Sequence, residues 1–245
     1  MILASAPTAI TWLVLVLAAL CAGFAKTAVG GIGLISVVLA ATVMPAAEST
    51  AAVLLLLIIA DACAVARYHR HADWKLIRQV VPAVLPGLLI GSVLLAVLPD
   101  TVLRRSIGGV LLFMVALQLL PLPHTPSANR ATATVAGLGA GACTMMANAA
   151  GPVMTLYLLA RGLDKRRFLG TSAWFFAGVN LCKVPFAAGL GLFDAQMLLR
   201  TLILAPAVLL GALLGVTVVN RLRQQLFDRA VLAASAVSAL ALILL

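Results

Sequence analysis

Charge is what this chain has least of. Only 10% of its 245 residues are ionised side chains, and only seven are acidic. A soluble domain carries about a quarter charged residues, so this chain cannot clothe a water-facing surface. Aromatics are also sparse at 5%. Histidine occurs three times, as His69, His71 and His124, always in polar breaks and never beside a carboxylate within an apolar run. That scarcity argues against a histidine metal centre or proton relay, and no nucleophile with its base is spaced for catalysis, so the chain does not read as an enzyme. The four cysteines, Cys21, Cys63, Cys143 and Cys182, stand singly inside apolar runs without CxxC spacing, and so read as small packing residues. No cofactor motif is present.

Apolar residues fill the remainder, 64% of the chain, with a mean hydropathy of +1.17. Such a composition belongs in a lipid bilayer. A net charge of +10 would suggest nucleic acid in a soluble protein. Here the cations fall in short loops between apolar runs, where they act as topology signals, and no nucleic-acid partner is expected. Ten apolar segments are predicted at roughly 8–24, 29–44, 50–66, 77–98, 102–120, 131–143, 146–160, 168–187, 197–218 and 227–245. The first has no Lys or Arg ahead of it, and Leu20 before Cys21 is wrong for a lipoprotein cleavage site, so it reads as a retained membrane segment.

An internal duplication organises these segments. PAVLPGLLIG at 82–91 returns as PAVLLGALLG at 206–215, seven of ten positions identical at an offset of 124. The fold class expected is an all-α polytopic membrane protein of two five-segment repeats, residues 1–121 and 131–245, joined by a cytoplasmic linker at 122–130. An odd number of segments per repeat inserts the copies upside down. The loop charges agree: Glu48 lies where repeat two has Arg161, Lys165, Arg166 and Arg167, while Arg67, Arg70, Lys75 and Arg78 lie where repeat two has Asp194 and Arg200. With the richer loops in the cytoplasm, both termini are predicted outside. Arg104 and Arg105 are the exceptions.

The first apolar stretch of each repeat is interrupted. Gly23 to Gly33 contains Lys26, Thr27, Gly30, Gly31 and Gly33; its counterpart contains Thr144, Asn148, Gly151 and Pro152. Helices are therefore predicted to meet part-way through the bilayer, as short spans or re-entrant hairpins. Irregular backbone at that depth is tolerated only when buried or facing a cavity, and a helix starting there aims free N–H groups at an anion. Glycines allow close approach of a ligand, and Lys26, Thr27, Thr144 and Asn148 add donors. The plainer alternative is that the small residues only pack helices.

Asp61 and Lys183 are further ionisable residues inside predicted spans, at nearly equivalent repeat positions. Either they form an ion pair across the pseudo-two-fold axis, or Lys183 or Lys26 contacts a substrate anion while Asp61 exchanges a proton. Asn180 is a nearby polar candidate, and Glu48 is a second candidate for proton coupling.

The stretch from Thr144 to Pro185, with the string MANAAGPVMTLYLLARGLDKRRFLGTSAWFFAGVNLCKVPF, resembles the TauE/SafE sulfite exporter family of anion permeases. The AGP motif, the basic GLDKRRF loop, the GTSAWFF opening and VNLxKVPF carry the resemblance, and Gly23 to Gly33 is similar to its first-half counterpart. The resemblance implies a bacterial-type inner-membrane permease for small anions such as sulfite, sulfonates or related organic acids, with Gly30, Gly31, Gly33, Asn148, Gly151 and Pro152 at the site. A homo-oligomer is compatible with it. An anion channel or a polytopic membrane enzyme remain the alternatives.

Overall fold

The computed structural model describes residues 9–28, 33–99, 130–159 and 161–221, with isolated positions in 101–116 and 223–240. Among them the chain is helical: α1 Ala9–Thr27, α2 Gly33–Val43, α3 Ala46–Tyr68, a 3-10 turn His69–His71, α4 Trp74–Val97, α5 Arg130–Ala147, α6 Ala150–Leu159, α7 Lys165–Gly189 and α8 Ala195–Arg221. The apolar segments predicted at 102–120 and 227–245, and all of the linker but Arg130, lie outside the residues described as continuous structure.

Helix starts are written in the sequence. Asp73 accepts the backbone N–H of Lys75 and Leu76 at the head of α4, Asp164 those of Arg166 and Arg167 at α7, and Asp194 that of Met197 at α8. Each carboxylate satisfies donors that a first helical turn leaves free and favours the positive end of the dipole. Among the described residues, four helices are long and apolar enough to cross a membrane: α1, the α3 stretch Ala47–His71, α4 and α8. Helix α4 turns Leu85, Leu89, Ile90, Val93 and Val97 outward, and α8 turns out Leu198, Leu199, Leu202 and Ile203. Apolar faces of that size are stable against lipid tails rather than water.

The opposite faces of α4 and α8 carry the duplicated glycines, and these fix the tightest helix contacts. A Cβ on Gly87 would collide with the Leu138 backbone oxygen of α5, and one on Gly91 would meet the Ala142 oxygen. On α8, a Cβ on Gly211 would collide with the Leu20 oxygen of α1, and one on Gly215 would meet the Phe24 oxygen. Gly141 and Gly23 answer from the other side, against the carbonyls of Val84 and Val208. Only hydrogen atoms fit between these backbones. Both pairs run parallel, since later glycines meet later residues.

The core divides accordingly. One apolar cluster joins α4, α5, α6 and α7 with Leu54; the other joins α1, α2, α3 and α8. Helix α4 thus packs with the second repeat and α8 with the first. Helices α3 and α7 meet at the seam between the clusters. The two ends of the bundle differ in charge: Arg67, His71 and Arg166 line one cavity, whereas Glu48, Asp194 and Arg200 line a crevice with the beginning of α1 and of α8.

Candidate functional site

Two helices stop short. Helix α2 has 11 residues and α6 has 10, about 16 and 15 Å at 1.5 Å per residue, or half of a ~30 Å hydrocarbon core. Helix α5 runs to Ala147, four residues beyond the predicted end at 143, and the break before α6 falls at Asn148. Asn148 has φ 52°, its N–H donates to the Thr144 oxygen at 2.8 Å, and the Ala149 N–H reaches back to the Cys143 oxygen at 3.2 Å. The bond from Asn148 to Thr144 is that of an αL helix ending, with asparagine in the left-handed position that glycine usually fills. Gly30, its repeat counterpart, and Gly31 lie outside the described residues.

The buried charges gather beside these breaks. Lys26, in the last turn of α1, places its Nζ 2.8 Å from Asp61 Oδ1 on α3 and 4.1 Å from the centre of the Phe176 ring on α7. The second carboxylate oxygen of Asp61 accepts from Asn180 Nδ2 at 2.6 Å. Lys183, one turn beyond Asn180, is 0% exposed. Its ammonium donates to Thr144 Oγ1 at 3.3 Å and to Asn148 Oδ1. The Asn148 amide then donates to the Thr50 carbonyl of α3 at 2.9 Å, and Thr50 Oγ1 returns to the Met146 oxygen at 3.0 Å.

Asp61 is therefore paired with Lys26 on α1, and an Asp61–Lys183 ion pair, one of the two alternatives the sequence left open, does not form among the described residues. The physical reason lies in α3, which packs against both α1 and α7. The α1 chain ends level with Asp61, so its ammonium reaches the carboxylate first. Lys183 is held by neutral oxygens.

Other candidates scatter more widely. Thr27 is buried, but its hydroxyl donates to the Ala212 oxygen of α8 at 2.8 Å, and its carbonyl accepts from Tyr68 OH at 2.9 Å. It joins helices and offers the cluster no donor. Gly33 begins α2 with Ala25 Cβ 3.5 Å from where its own would be. Gly151 is buried in the first turn of α6, and Pro152 follows it. Glu48 is exposed in the first turn of α3, in the crevice with Asp194 and Arg200, and does not meet the Lys26–Asp61 cluster. Asn148, expected to offer a donor, has both ends of its amide engaged within the protein.

Two participants escaped sequence reasoning. Phe176 lies on the helical face it shares with Asn180 and Lys183, at spacings of four and three, and that stripe was the available signal. Ser36, in the first turn of α2, is 0% exposed and its hydroxyl finds no hydrogen-bond partner among the described residues.

The cluster holds two ammonium groups against one carboxylate inside a helical bundle with lipid-type faces, an arrangement suited to an anion and lacking a nucleophile or metal set. No group of His, Cys, Asp or Glu able to hold a metal occurs among the described residues. Comparison with known proteins points the same way. No solved structure matches the chain. The probable sulfite/organosulfonate exporter TauE of Cupriavidus necator is 26% identical over 195 residues, 76% of each chain. The model of the sulfite exporter TauE/SafE family matches residues 15–242. Matched over nearly its whole length, the chain belongs to the TauE/SafE sulfite exporter family and is a membrane transporter rather than an enzyme.

Proposed function

We propose that this chain is a secondary permease that moves a small oxoanion, sulfite or an organosulfonate, across the bacterial inner membrane by alternating access around the Lys26–Asp61–Lys183 cluster. The observation that carries this reading is Lys183, a fully buried lysine held, among the described residues, by the neutral oxygens of Thr144 and Asn148. Buried ammonium groups are costly unless countered. Asp61 already neutralises Lys26 at 2.8 Å, so the cluster carries one cation in excess when all three groups are ionised. A bound oxoanion supplies the missing charge, and the N–H groups at the starts of α2 and α6 complete a polar cradle. Ser36 stands at the first of these with its hydroxyl free among the described residues.

The helix registers support an inverted repeat. Contacts of Gly87 with Leu138 and of Gly211 with Leu20 correspond when α4 is shifted by 124 and α5 by 118. The same shifts carry Gly141–Val84 onto Gly23–Val208. On this reading α1–α2 enters from the acidic end and α5–α6 from the basic end. The basic end faces the cytoplasm by the positive-inside rule, and both termini lie outside. Rocking would occur along the α3–α7 seam, with each moving half built from three helices of one repeat and one of the other.

Direction follows from the membrane potential. With the cytoplasm negative, each net negative charge leaving gains about 2.3 kcal/mol per 100 mV, so export is downhill without coupling. Uptake would need a coupled proton, for which Asp61 is the placed carboxylate.

The test is sulfite flux in vesicles of purified protein at a set potential. Wild type should show saturable flux, fastest when the sulfite-loaded side is negative; Lys183→Met should lose nearly all of it. Flux proportional to concentration without saturation would replace the carrier by a channel. A fully active Lys183→Met would remove the central site from this account.

A further inference from the structure

Beyond the central cluster, a second set of cations closes on a cavity at the basic end of the bundle. The cavity, about 300 Å³, is lined by Arg67, Tyr68 and His71 from the end of α3 and its 3-10 turn, by Arg166 from the head of α7, and by Asn220 from the end of α8. By volume it has room for about ten waters, and so for a small hydrated anion. No carboxylate among the described residues lines it. The acids nearest in sequence are occupied: Asp73 pairs with Arg167 at 2.7 Å, and Asp164 caps α7. Arg67 and Arg166 make no ion pair among the described residues, and Arg67 lies 5.5 Å over the Tyr68 ring. His71 Nδ1 is buried and has no hydrogen-bond partner there.

Three features therefore coincide: two unpaired guanidinium groups, an orphaned buried imidazole nitrogen, and a polar cavity with only positive or neutral walls. Water can satisfy such groups, but an oxoanion satisfies them while also neutralising the guanidinium charge. The position adds meaning. Tyr68 and the apolar side chains of Leu169 and Val219 line the cavity and also pack with Ala28, next to the end of α1. Tyr68 OH holds the Thr27 carbonyl, one residue from the lysine that pairs with Asp61. The cavity thus shares a wall with the broken helix of the central site.

We propose that Arg67, Arg166 and His71 form a second anion site, an outer station where the transported oxoanion is held before Tyr68 and the end of α1 admit it. The proposal rests on the transport reading above. A phospholipid phosphate offers the same oxoanion chemistry, so the test separates the two sources. Sulfite KM and maximal rate are measured separately from each face of oriented vesicles, for wild type, Arg67→Gln, Arg166→Gln and the double variant. The measurements are made in phosphatidylcholine alone and with phosphatidylglycerol added.

Each single variant should raise KM from the basic face about five-fold, the loss of one partly exposed charge contact of about 1 kcal/mol. Maximal rate and KM from the acidic face should stay near wild type in both lipids, which also shows that the variants fold. Unchanged KM at the basic face overturns the outer station, and so does an equal rise from both faces. A rise seen only with phosphatidylglycerol assigns the cavity to a lipid headgroup and overturns it too. Absence of sulfite flux in wild type would sink the transport reading itself, whereas wild-type flux with indifferent variants sinks this proposal alone.

Discussion

Replacing Asp61 by Asn separates the observed charge pairing from the one that repeat symmetry suggests. The Lys26–Asp61 contact is 2.8 Å, which at an effective dielectric of about 20 corresponds to about 6 kcal/mol of attraction, much of it offset by desolvation of the two ions. Deleting one partner leaves the other buried and unpaired. With the Lys26 side chain 11% exposed, water cannot take over the role of the carboxylate. Asp61→Asn should therefore cost about 3–5 kcal/mol, and Lys26→Met a similar amount from the opposite side. The double variant Lys26→Met with Asp61→Asn removes both charges and should recover to within about 1–2 kcal/mol of wild type. Asp61→Asn with Lys183→Met still leaves Lys26 unpaired and should recover little. Unfolding free energies in mixed detergent micelles, arranged as two double-mutant cycles, give both coupling energies. The reasoning fails if the Lys183 double variant is the one rescued, since Asp61 would then be answering the lysine across the seam.

Two further outcomes test the scaffold. Gly211→Ala should destabilise by about 1–3 kcal/mol, because its Cβ would overlap the Leu20 backbone oxygen and backbone cannot step aside. Gly178→Ala, with nothing within 4 Å of its Cβ, should stay within about 0.5 kcal/mol of wild type in the same unfolding assay. For orientation, Gln196→Cys in a background lacking native cysteines should react with a membrane-impermeant maleimide in intact cells. Arg70→Cys should react only after permeabilisation, and the reverse pattern would invert the topology.

How far the sequence could be read depended on whether a feature acts within one helix or between two. Caps at Asp73, Asp164 and Asp194, the lipid-facing leucines of α4 and α8, and the interruptions near Gly33 and Asn148 are all local features, and of these the spacing of small residues predicts the interruptions. The duplicated PAVLxGxLxG announced a tight helix contact, yet it could not name the partner. A glycine stripe specifies how near another backbone must come and says nothing about which one. The structure shows the stripe of α4 meeting α5 and that of α8 meeting α1, each crossing between the first half of the chain and the second.

That crossing also explains why the sequence left the charge pairing open. Aligning the repeats sets Asp61 opposite Lys183, and a two-fold axis makes such equivalents look like neighbours. Helix α3, however, is shared between α1 and α7, and it delivers Asp61 to Lys26 while Asn180 reaches the carboxylate from across the seam. On the inverted-repeat reading, the copies differ where lysine in α1 answers threonine in α5. The same substitution leaves Lys183 with neutral partners, and so the excess positive charge that suits an anion arises where the two copies have ceased to match.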